Sequence, residues 1–292
     1  MKSLWGNEST TLPLVRGAVT MLTLFLTLAI AGCSSDAPPP VGTAGADLPP
    51  AGANAGPPYN FNVSLTGDGW LPFGLKDKAM LLKTALGYRF RTGQQDSHLT
   101  ITVVAGGLRF ADTGTKQIIK LAPACHRRSV QMGIAAVCRI PGAVTASSPL
   151  LIEVWPRLGN DYTDSSNLPA RFAVTVLGDK GHDVAHFGAG WNFFNGFTGR
   201  DVVRGGAGND WIRTDTGNEK VNGGPGNDDI VAGGGRDSFH GGDGRDRIWG
   251  ADGNDRIWGD AGADFLMCGN GKDRVTADAA DRVAGSCESV DR

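Results

Sequence analysis

The chain has 292 residues, 44 of them Gly, and a formal net charge of −2. This length is enough for two modest domains. The overall charge hides a split. Residues 34–177 carry 13 basic and 9 acidic residues, net +4, whereas residues 178–292 carry 13 basic and 20 acidic residues, net −7. The acidic C-terminal part is therefore the part that we expect to bind a cation. We expect no nucleic-acid partner.

The N-terminal 32 residues have the pattern of a signal peptide. Two basic residues, Lys2 and Arg16, precede the apolar run MLTLFLTLAIAG, which is too short to span a membrane. Residues 30–33 read IAGC and resemble a lipobox, the bacterial site at which Cys33 is lipidated and becomes the first mature residue. The alternative is an ordinary secretory peptide with an incidental Cys33. With lipidation we expect an exported protein anchored to a membrane or cell surface, on the extracellular or outer-membrane face.

Residues 33–58 are rich in Pro, Ala and Gly and show no apolar periodicity. Such a composition is typical of an extended linker. We therefore expect a tether that holds the folded part of the chain away from the lipid.

Residues 59–177 contain several short stretches in which apolar and polar residues alternate: 59–65, 99–103, 152–154 and 172–176. A period of two over this length indicates a small antiparallel β-sandwich. The stretch from Leu75 to Tyr88 fits a helix or a strand about equally well. If the protein is an enzyme, its active site lies in residues 59–177 and residues 178–292 stabilise that part of the chain.

Eleven consecutive nine-residue blocks run from Gly178 to Thr276 without an insertion. The fourth residue of every block is Gly, which allows a sharp turn. The sixth residue is acidic in all blocks but one, in the order Asp183, Asn192, Asp201, Asp210, Glu219, Asp228, Asp237, Asp246, Asp255, Asp264 and Asp273. The eighth residue is apolar, in the order Ala185, Phe194, Val203, Ile212, Val221, Ile230, Phe239, Ile248, Ile257, Leu266 and Val275.

A turn of six residues followed by a strand of three puts one apolar side chain per block inward. Two blocks then make one coil, and successive coils stack as parallel strands. The position-six carboxylates crowd along both turn edges of such a stack, and like charges that close are costly away from water. A hard cation removes this cost, because calcium accepts about six to eight oxygen ligands.

The blocks resemble the RTX, or hemolysin-type, nonapeptide repeat, whose pattern is G-G-x-G-x-D-x-U-x. The best copies, GGAGNDWIR, GGPGNDDIV and GGDGRDRIW, begin at Gly205, Gly223 and Gly241. The resemblance implies an all-β fold with a parallel β-roll over residues 178–292 that binds Ca²⁺. It implies as ligands the carbonyls of the first turn positions and the position-six carboxylates of blocks i and i+2. By register these residues are Asp183, Asp201, Gly205, Gly206, Gly208, Asp210, Glu219, Gly223, Gly224, Gly226, Asp228, Asp237, Gly241, Gly242, Gly244, Asp246, Asp255, Asp264 and Asp273.

The two turn edges follow the pattern unequally. One edge collects the blocks that begin at residues 187, 205, 223, 241 and 259, and the last four keep Gly first and Asp sixth. On the other edge several glycines of the pattern are replaced, by Asp179, Phe197, Thr214, Asp215, Ala232, Ala251 and Cys268. We therefore expect the sites between Gly205 and Asp264 to fill first. The alternative to a roll is a disordered Gly-rich tail, which we expect without calcium rather than with it.

Four cysteines remain once Cys33 is processed, and four cysteines allow three pairings. Because an exported protein meets an oxidising compartment, we expect disulfides between Cys125 and Cys138 and between Cys268 and Cys287, each contributing roughly 3 kcal/mol. The second would pin residues 277–292 as a cap over the open end of the roll. Reactive or metal-binding cysteines are the alternative.

The motifs HExxH, GxSxG and GxxxxGK[ST] are absent from the sequence, which counts against the proteases and lipases that often carry such repeats. We therefore predict a non-enzymatic protein whose roll is a structural or adhesive module, with no catalytic residues. His182 and His186 are four residues apart, but the register places one in a turn and the other at a strand end, so we do not expect a helical metal pair.

Two Arg and Trp pairs occupy positions seven and nine of successive blocks, where side chains face solvent. Arg247 with Trp249 and Arg256 with Trp258 could stack on a carbohydrate or protein partner. Decoration of the sheet surface is the interpretation that we favour. Because successive blocks lie on opposite sheets, we expect the two Trp side chains to lie in separate patches.

Overall fold

The computed structural model describes residues 76–284 and 286–292. All regular elements in these residues are β-strands, so the all-β class is confirmed. None of the elements in this part of the chain is a helix able to cross a membrane. The signal peptide, the lipidation site at Cys33, the tether and the alternating stretch at residues 59–65 lie outside the described residues.

Ten strands precede the nonapeptide blocks. They are β1 (Lys78–Lys83), β2 (Gly87–Arg91), β3 (His98–Val104), β4 (Gly107–Asp112), β5 (Gln117–Leu121), β6 (Cys125–Arg128), β7 (Ile134–Cys138), β8 (Leu150–Trp155), β9 (Tyr162–Asp164) and β10 (Phe172–Leu177). The stretch for which the sequence left helix or strand open therefore forms β1 and the start of β2.

Fourteen strands follow within the blocks and the C-terminal tail. They are β11 (Val184–His186), β12 (Phe193–Asn195), β13 (Thr198–Gly199), β14 (Val202–Arg204), β15 (Trp211–Gly217), β16 (Lys220–Gly226), β17 (Asp229–Gly235), β18 (Ser238–Gly244), β19 (Arg247–Gly253), β20 (Arg256–Gly262), β21 (Phe265–Gly271), β22 (Arg274–Thr276), β23 (Arg282–Val283) and β24 (Ser289–Asp291).

These strands form two sheets of 12 strands each. Sheet one has the order β23-β21-β19-β17-β15-β12-β10-β8-β2-β1-β5, with β13 also paired to β15. Sheet two has the order β24-β22-β20-β18-β16-β14-β11-β9-β3-β4-β7-β6. Consecutive blocks alternate between the sheets, so two blocks make one coil and the coils stack in parallel. The predicted parallel β-roll is therefore confirmed.

Parallel pairing continues across residues 177 and 178, where the sequence predicted the roll to begin. Strand β10 pairs in parallel with both β8 and β12, and β11 pairs in parallel with both β9 and β14. Along the main strand order the parallel part contains nine strands in each sheet, from β2 to β23 and from β3 to β24, and β13 pairs in parallel with β15 beside it. The predicted sandwich was antiparallel, and strands β8, β9 and β10 differ from it. Alternating apolar residues fit either strand direction, because both have a side-chain period of two.

Antiparallel pairing occurs at the N-terminal end of the described chain. Strands β1 and β2 pair antiparallel in sheet one, and β3, β4, β7 and β6 form an antiparallel run in sheet two. The predicted disulfide Cys125–Cys138 joins β6 to β7. Strands β1 and β5 in sheet one and β4, β7 and β6 in sheet two lie beyond β2 and β3, at the N-terminal end of the parallel part.

The core between the sheets is built from the eighth residue of every block. All eleven of these side chains are buried, at no more than 3% exposure, as predicted. In sheet one the column continues before the blocks, because Val154 pairs with Val176 and Val176 with Phe194. In sheet two Thr163 pairs with Ala185. Each large apolar side chain buried in this way contributes roughly 1.5–3 kcal/mol.

The glycine at position four is required by the stacking of the coils. Gly244 and Gly271 have φ values of 145° and 142°, a region that L side chains rarely adopt. A Cβ atom on either residue would overlap the carbonyl oxygen of the position-four glycine one coil earlier, Gly226 or Gly253. The invariance of this position therefore reflects both turn geometry and close approach of the backbones.

Candidate metal centre

The turns of the roll form two edges. The first edge contains the turns of the blocks that begin at residues 187, 205, 223, 241 and 259, which lead into strands of sheet one. The second edge contains the turns of the blocks that begin at residues 178, 196, 214, 232, 250 and 268, which lead into strands of sheet two.

Position-six side chains link the coils along both edges. The backbone N–H of one position-six residue donates to Oδ1 of the position-six residue one coil later. On the first edge Asp210 donates to Asp228 (2.7 Å) and Asp228 to Asp246 (2.8 Å). On the second edge Glu219 donates to Asp237 (2.8 Å). The predicted ligands are thus brought together in two rows that run along the roll.

The second carboxylate oxygen of each of these Asp residues is buried and has no hydrogen-bond donor within the described residues. These Oδ2 atoms belong to Asp183, Asp201, Asp210, Asp228, Asp237, Asp246, Asp255, Asp264 and Asp273. A buried anionic oxygen without a partner is unfavourable by several kcal/mol, roughly, unless a cation or a proton neutralises it. Each of these carboxylates, on either edge, therefore fits a cation or a proton as its partner.

Burial also alters the acidity of these groups. It raises the pKa of the Asp201, Asp228 and Asp246 carboxyls to about 7, although each accepts a backbone N–H that lowers the pKa. Burial likewise raises the pKa of Asp255 to about 7. The pKa of Asp210 is raised well above its ordinary value by burial and by the nearby charge of Asp228. The two edges share this property.

Asn192 shows what each position-six site requires. Its amide Nδ2 donates to the carbonyl oxygens of Gly190 (2.7 Å) and Gly205 (3.2 Å) and to Oδ1 of Asp210 (3.0 Å). The later blocks have Asp or, once, Glu at this position, so an acceptor takes the place of the donating amide. The amide therefore marks a point at which three oxygens converge and a positively charged partner fits.

The glycine at position one leaves room for one carboxylate oxygen and one carbonyl oxygen. A Cβ atom on Gly250 would lie 2.8 Å from Oδ2 of Asp255 and 2.7 Å from the carbonyl oxygen of Cys268. A Cβ atom on Gly223 would overlap Oδ2 of Asp228 and lie 2.6 Å from the carbonyl oxygen of Gly241. Glycine at position one thus allows a carboxylate and a carbonyl oxygen to approach each other.

This space is open in most coils of the first edge and in half of those of the second. Gly205, Gly223, Gly241 and Gly259 keep it open on the first edge. On the second edge Thr214, Ala232 and Cys268 place a Cβ atom there, and all three side chains are buried. The predicted inequality of the edges therefore has a geometric counterpart.

The atoms available to bind a metal ion along both edges are oxygens. Among residues 76–284 and 286–292, no group of three or more His, Cys, Asp and Glu side chains could hold a metal by itself. Main-chain carbonyl oxygens lie beside the carboxylates, as those of Gly241 and Cys268 show. An all-oxygen donor set fits calcium, which prefers carboxylate and carbonyl ligands.

A known family matches this region. The family described as RTX calcium-binding nonapeptide repeat (4 copies) matches residues 195–230 and 231–266. The matched residues are RTX repeats. The RTX repeats indicate calcium binding, and the β-roll that they form is a structural calcium-binding module. No curated protein and no solved structure matches the chain.

The structure contains one further turn with the geometry of an RTX repeat that the sequence analysis missed. Residues 156–164 read PRLGNDYTD, and Arg157 and Gly159 have φ values of 75° and 139°, as position-two and position-four residues do in the blocks. The N–H of Asp161 donates to Oδ1 of Asp183 (2.9 Å), and Oδ2 of Asp161 is buried with no donor among the residues that the structure describes. Burial raises the pKa of Asp161 to about 8. The sequence GND was a signal, but Asp161 precedes Asp183 by 22 residues rather than 18.

A second row of hydrogen bonds at position five was also missed. The N–H of Asn227 donates to Oδ1 of Asn209 (2.9 Å), and the N–H of Arg245 donates to Oδ1 of Asn227 (2.8 Å). On the second edge the N–H of Lys272 donates to Oδ1 of Asn254 (2.8 Å). The recurrence of Asn at position five was the available signal.

The remaining candidate residues lie where the register placed them. The N–H of Arg200 donates to Nδ1 of His182 in a turn, whereas His186 ends β11. Trp249 belongs to sheet one and Trp258 to sheet two, so they lie in separate patches as predicted. The ring of Trp258 stacks on His240, with centroids 4.5 Å apart.

Proposed function

We propose that the chain is an exported, lipid-anchored surface protein whose RTX roll folds on calcium and then acts as a rigid structural or adhesive module without enzymatic activity. The observation that carries this proposal is the pair of carboxylate rows, in which the Asp residues bury an anionic oxygen that has no donor in the described part of the chain. Calcium supplies the missing positive charge when bound.

The protein's own residues explain why the ion stiffens the roll. The position-six N–H groups and Oδ1 atoms tie each coil to the next, and the position-eight side chains fill the space between the sheets. Neutralising the Oδ2 atoms removes the repulsion that opposes these contacts. Folding and ion binding are therefore coupled in this arrangement.

Export and anchoring are supported by different features. The lipobox-like IAGC at residues 30–33 supports lipidation at Cys33. The disulfides Cys125–Cys138 and Cys268–Cys287 support an oxidising compartment, since disulfides are rare in the cytosol. A surface position also gives access to calcium concentrations that suit extracellular modules.

The main test uses residues 33–292 with Cys33→Ser, titrated with calcium by calorimetry and followed by circular dichroism. We expect a gain of β structure on calcium addition and dissociation constants of about 10⁻⁴ to 10⁻³ M. The proposal would be contradicted if the spectrum in chelator were that of a folded protein and identical to the spectrum with calcium. It would also be contradicted if calcium produced no gain of structure.

Two further measurements test the finer claims. Cys33→Ala is expected to move the protein from the membrane fraction to the soluble fraction, because lipidation needs the thiol.

A hydrolase screen with and without calcium is expected to show no turnover. Calcium-dependent turnover that one substitution in residues 59–177 abolishes would show that the protein is an enzyme and not a structural module.

A further inference from the structure

The outer face of sheet one carries a row of side chains that point away from the core. Their neighbours along the chain lie in the core between the sheets, so the alternation of a strand turns these side chains outward. The row crosses six paired strands and consists of Leu82, Arg89, Glu153, Thr175, Phe193 and Trp211. Side chains on the outer face of a sheet are expected to meet solvent.

Most of this row is nevertheless buried. From Leu82 to Phe193 each member is at most 7% exposed, whereas Trp211 is 37% exposed. Met80 of β1 and Ala173 of β10 also point away from the core and are buried. On the other side of β1, Lys120 of β5 pairs with Met80 and is exposed. A buried patch therefore extends over β1, β2, β8, β10 and β12, with an exposed residue on either side of it.

The outer face of sheet two differs from this patch. Its row at position seven runs through Tyr162, Val184, Val202 and Lys220, which are half-buried or exposed. Stacking of the coils therefore does not by itself bury outward side chains. All 24 described strands belong to the two sheets, so none of them forms a layer over the patch.

The patch includes charged groups that are shielded from water. Nε and Nη2 of Arg89 donate to the two carboxylate oxygens of Glu153, at 3.1 and 3.2 Å, and both side chains are 5% exposed. The guanidinium groups of Arg89 and Arg91 lie over the ring of Trp155, at 4.3 and 5.0 Å from its centroid. Because dehydration of an ion pair is unfavourable, a loosely held cover would let water return to it.

Residues 59–75 have the composition that such a cover requires. Tyr59, Phe61, Val63 and Leu65 alternate with polar residues, and in an extended chain their side chains share one face. Residues 70–75 add the largely apolar sequence WLPFGL. An apolar segment of this kind gains by leaving water for an apolar surface.

The length, position and charge of the segment also fit the patch. Five strands about 4.8 Å apart are about 19 Å across, and seven extended residues span about 23 Å. Only residues 76 and 77 separate the segment from β1, which lies in the patch. Asp68 is the one charged residue of the segment, whereas Arg89, Arg91 and Glu153 give the patch a net charge of +1.

We propose that residues 59–75 dock on the outer face of sheet one and bury the row from Leu82 to Phe193. They form a third layer over the N-terminal end of the roll. The folded part of the chain then begins at residue 59, where the predicted tether ends. The outer face of sheet two stays open to a partner.

The test measures how fast one thiol on the patch is alkylated, in calcium, in residues 33–292 with Cys33→Ser. The other four cysteines are paired in disulfides, so an introduced cysteine is the only free thiol. Thr175→Cys places it in the row, and Ser238→Cys places it on the outer face of sheet two. We expect Thr175→Cys to react at least about tenfold more slowly, because a buried site reacts only after local opening. Equal rates would overturn the proposal.

Substitutions in the segment identify what covers the patch. Phe61→Ser and Val63→Ser together are expected to raise the alkylation rate of Thr175→Cys to that of the sheet-two control. Asn60→Ser and Asn62→Ser, which change the alternate side chains of the same stretch, should leave the thiol protected. Protection that persisted without Phe61 and Val63 would overturn the proposal. Protection lost on dilution, together with a dimer in sedimentation, would also overturn it and assign the face to a second copy of the chain.

Hydrogen exchange of the parent protein adds a measurement that needs no substitution. In calcium, the amides of residues 59–75 are expected to exchange more slowly than those of residues 33–58. Equally fast exchange in the two segments would contradict docking. Circular dichroism and calcium titration of each variant check the roll itself. A roll that folds and binds calcium beside an unprotected patch would leave the proposed function standing without this layer.

Discussion

The two turn edges of the roll share a backbone and differ in their side chains. On both edges a buried position-six carboxylate accepts an N–H from the neighbouring coil, and its Oδ2 has no donor among residues 76–284 and 286–292. On the first edge, glycine at position one lets a carbonyl oxygen approach that Oδ2, whereas Thr214, Ala232 and Cys268 carry a Cβ atom there on the second edge. The comparison separates the residues that shape the turn from those that leave space for an ion.

The largest expected effect is the pH dependence of the stability of the calcium-free roll, and it is the same for both edges. Burial raises the pKa of Asp228 and Asp246 on the first edge and of Asp201 and Asp255 on the second to about 7. Because the ordinary value is about 4, the folded state binds more protons than the unfolded state between about pH 4 and pH 7. The stability of the calcium-free roll therefore falls as the pH rises through this window.

Circular dichroism in chelator measures this effect. We expect more β structure at pH 5 than at pH 8 without calcium, and weaker calcium binding at pH 5 because protons compete for the same oxygens. A calcium-free roll that gained structure as the pH rose would contradict the raised pKa values.

The next effect separates the edges. Asp228→Ala is expected to weaken calcium binding at least about tenfold, or about 1.4 kcal/mol, and Asp237→Ala clearly less. The physical reason is that Gly223 keeps the Asp228 site open, whereas Ala232 occupies the equivalent space beside Asp237. Calorimetric titration of both variants tests the ranking.

Asp243→Ala serves as the control for that pair, because Asp243 is exposed at position three and the substitution makes the same change in net charge. We expect binding close to that of the parent. Equal losses in Asp228→Ala and Asp237→Ala would show that the edges do not differ in affinity.

A smaller effect comes from exchanging the position-one residues. Gly223→Ala is expected to weaken calcium binding, since its Cβ overlaps Oδ2 of Asp228. Ala232→Gly is expected to strengthen binding on the second edge, although glycine lowers the stability of the metal-free fold by roughly 0.5–1 kcal/mol. Titrations of the two variants should shift in opposite directions, and shifts of the same sign would remove position one as the cause.

The smallest effect concerns position two, where both edges contain strained residues. Phe197, Asp215 and Ala251 on the second edge and Asp260 on the first have positive φ values between 60° and 65°. Ala251→Gly is expected to stabilise the calcium-loaded roll by roughly 0.5–1 kcal/mol, the left-handed penalty less the entropy of glycine. Ala207→Gly, at position three of the first edge, is the control and should destabilise it slightly in denaturant titrations.

Much of the roll could be predicted because its sequence repeats in register. Position four fixes the turn, and position eight fixes the core, so Ile212 and Ile257 are buried as expected. Parallel pairing of β8, β9 and β10 could not be predicted, because their alternation fits both strand directions and their spacing is irregular. The irregular spacing is also why the sequence did not reveal the turn around Asp161, which precedes Asp183 by 22 residues.

The candidate site was predicted at the level of residue types. The position-six carboxylates form rows as the register required. The role of Asn192 needed coordinates, because an amide that satisfies three oxygens makes contacts between distant parts of the chain. Spacing alone does not reveal them.

The repeated contacts between coils have a mechanical consequence. Each coil of the blocks is tied to its neighbour by the same hydrogen bonds at intervals of 18 residues, and in such stacked repeats each unit contacts only its neighbours. Tension applied to the chain ends should therefore peel the roll one coil at a time, each step releasing about 60 Å of extended chain. The loop closed by Cys268–Cys287 resists this peeling at one end. In calcium, the molecule would yield under force in even steps rather than all at once.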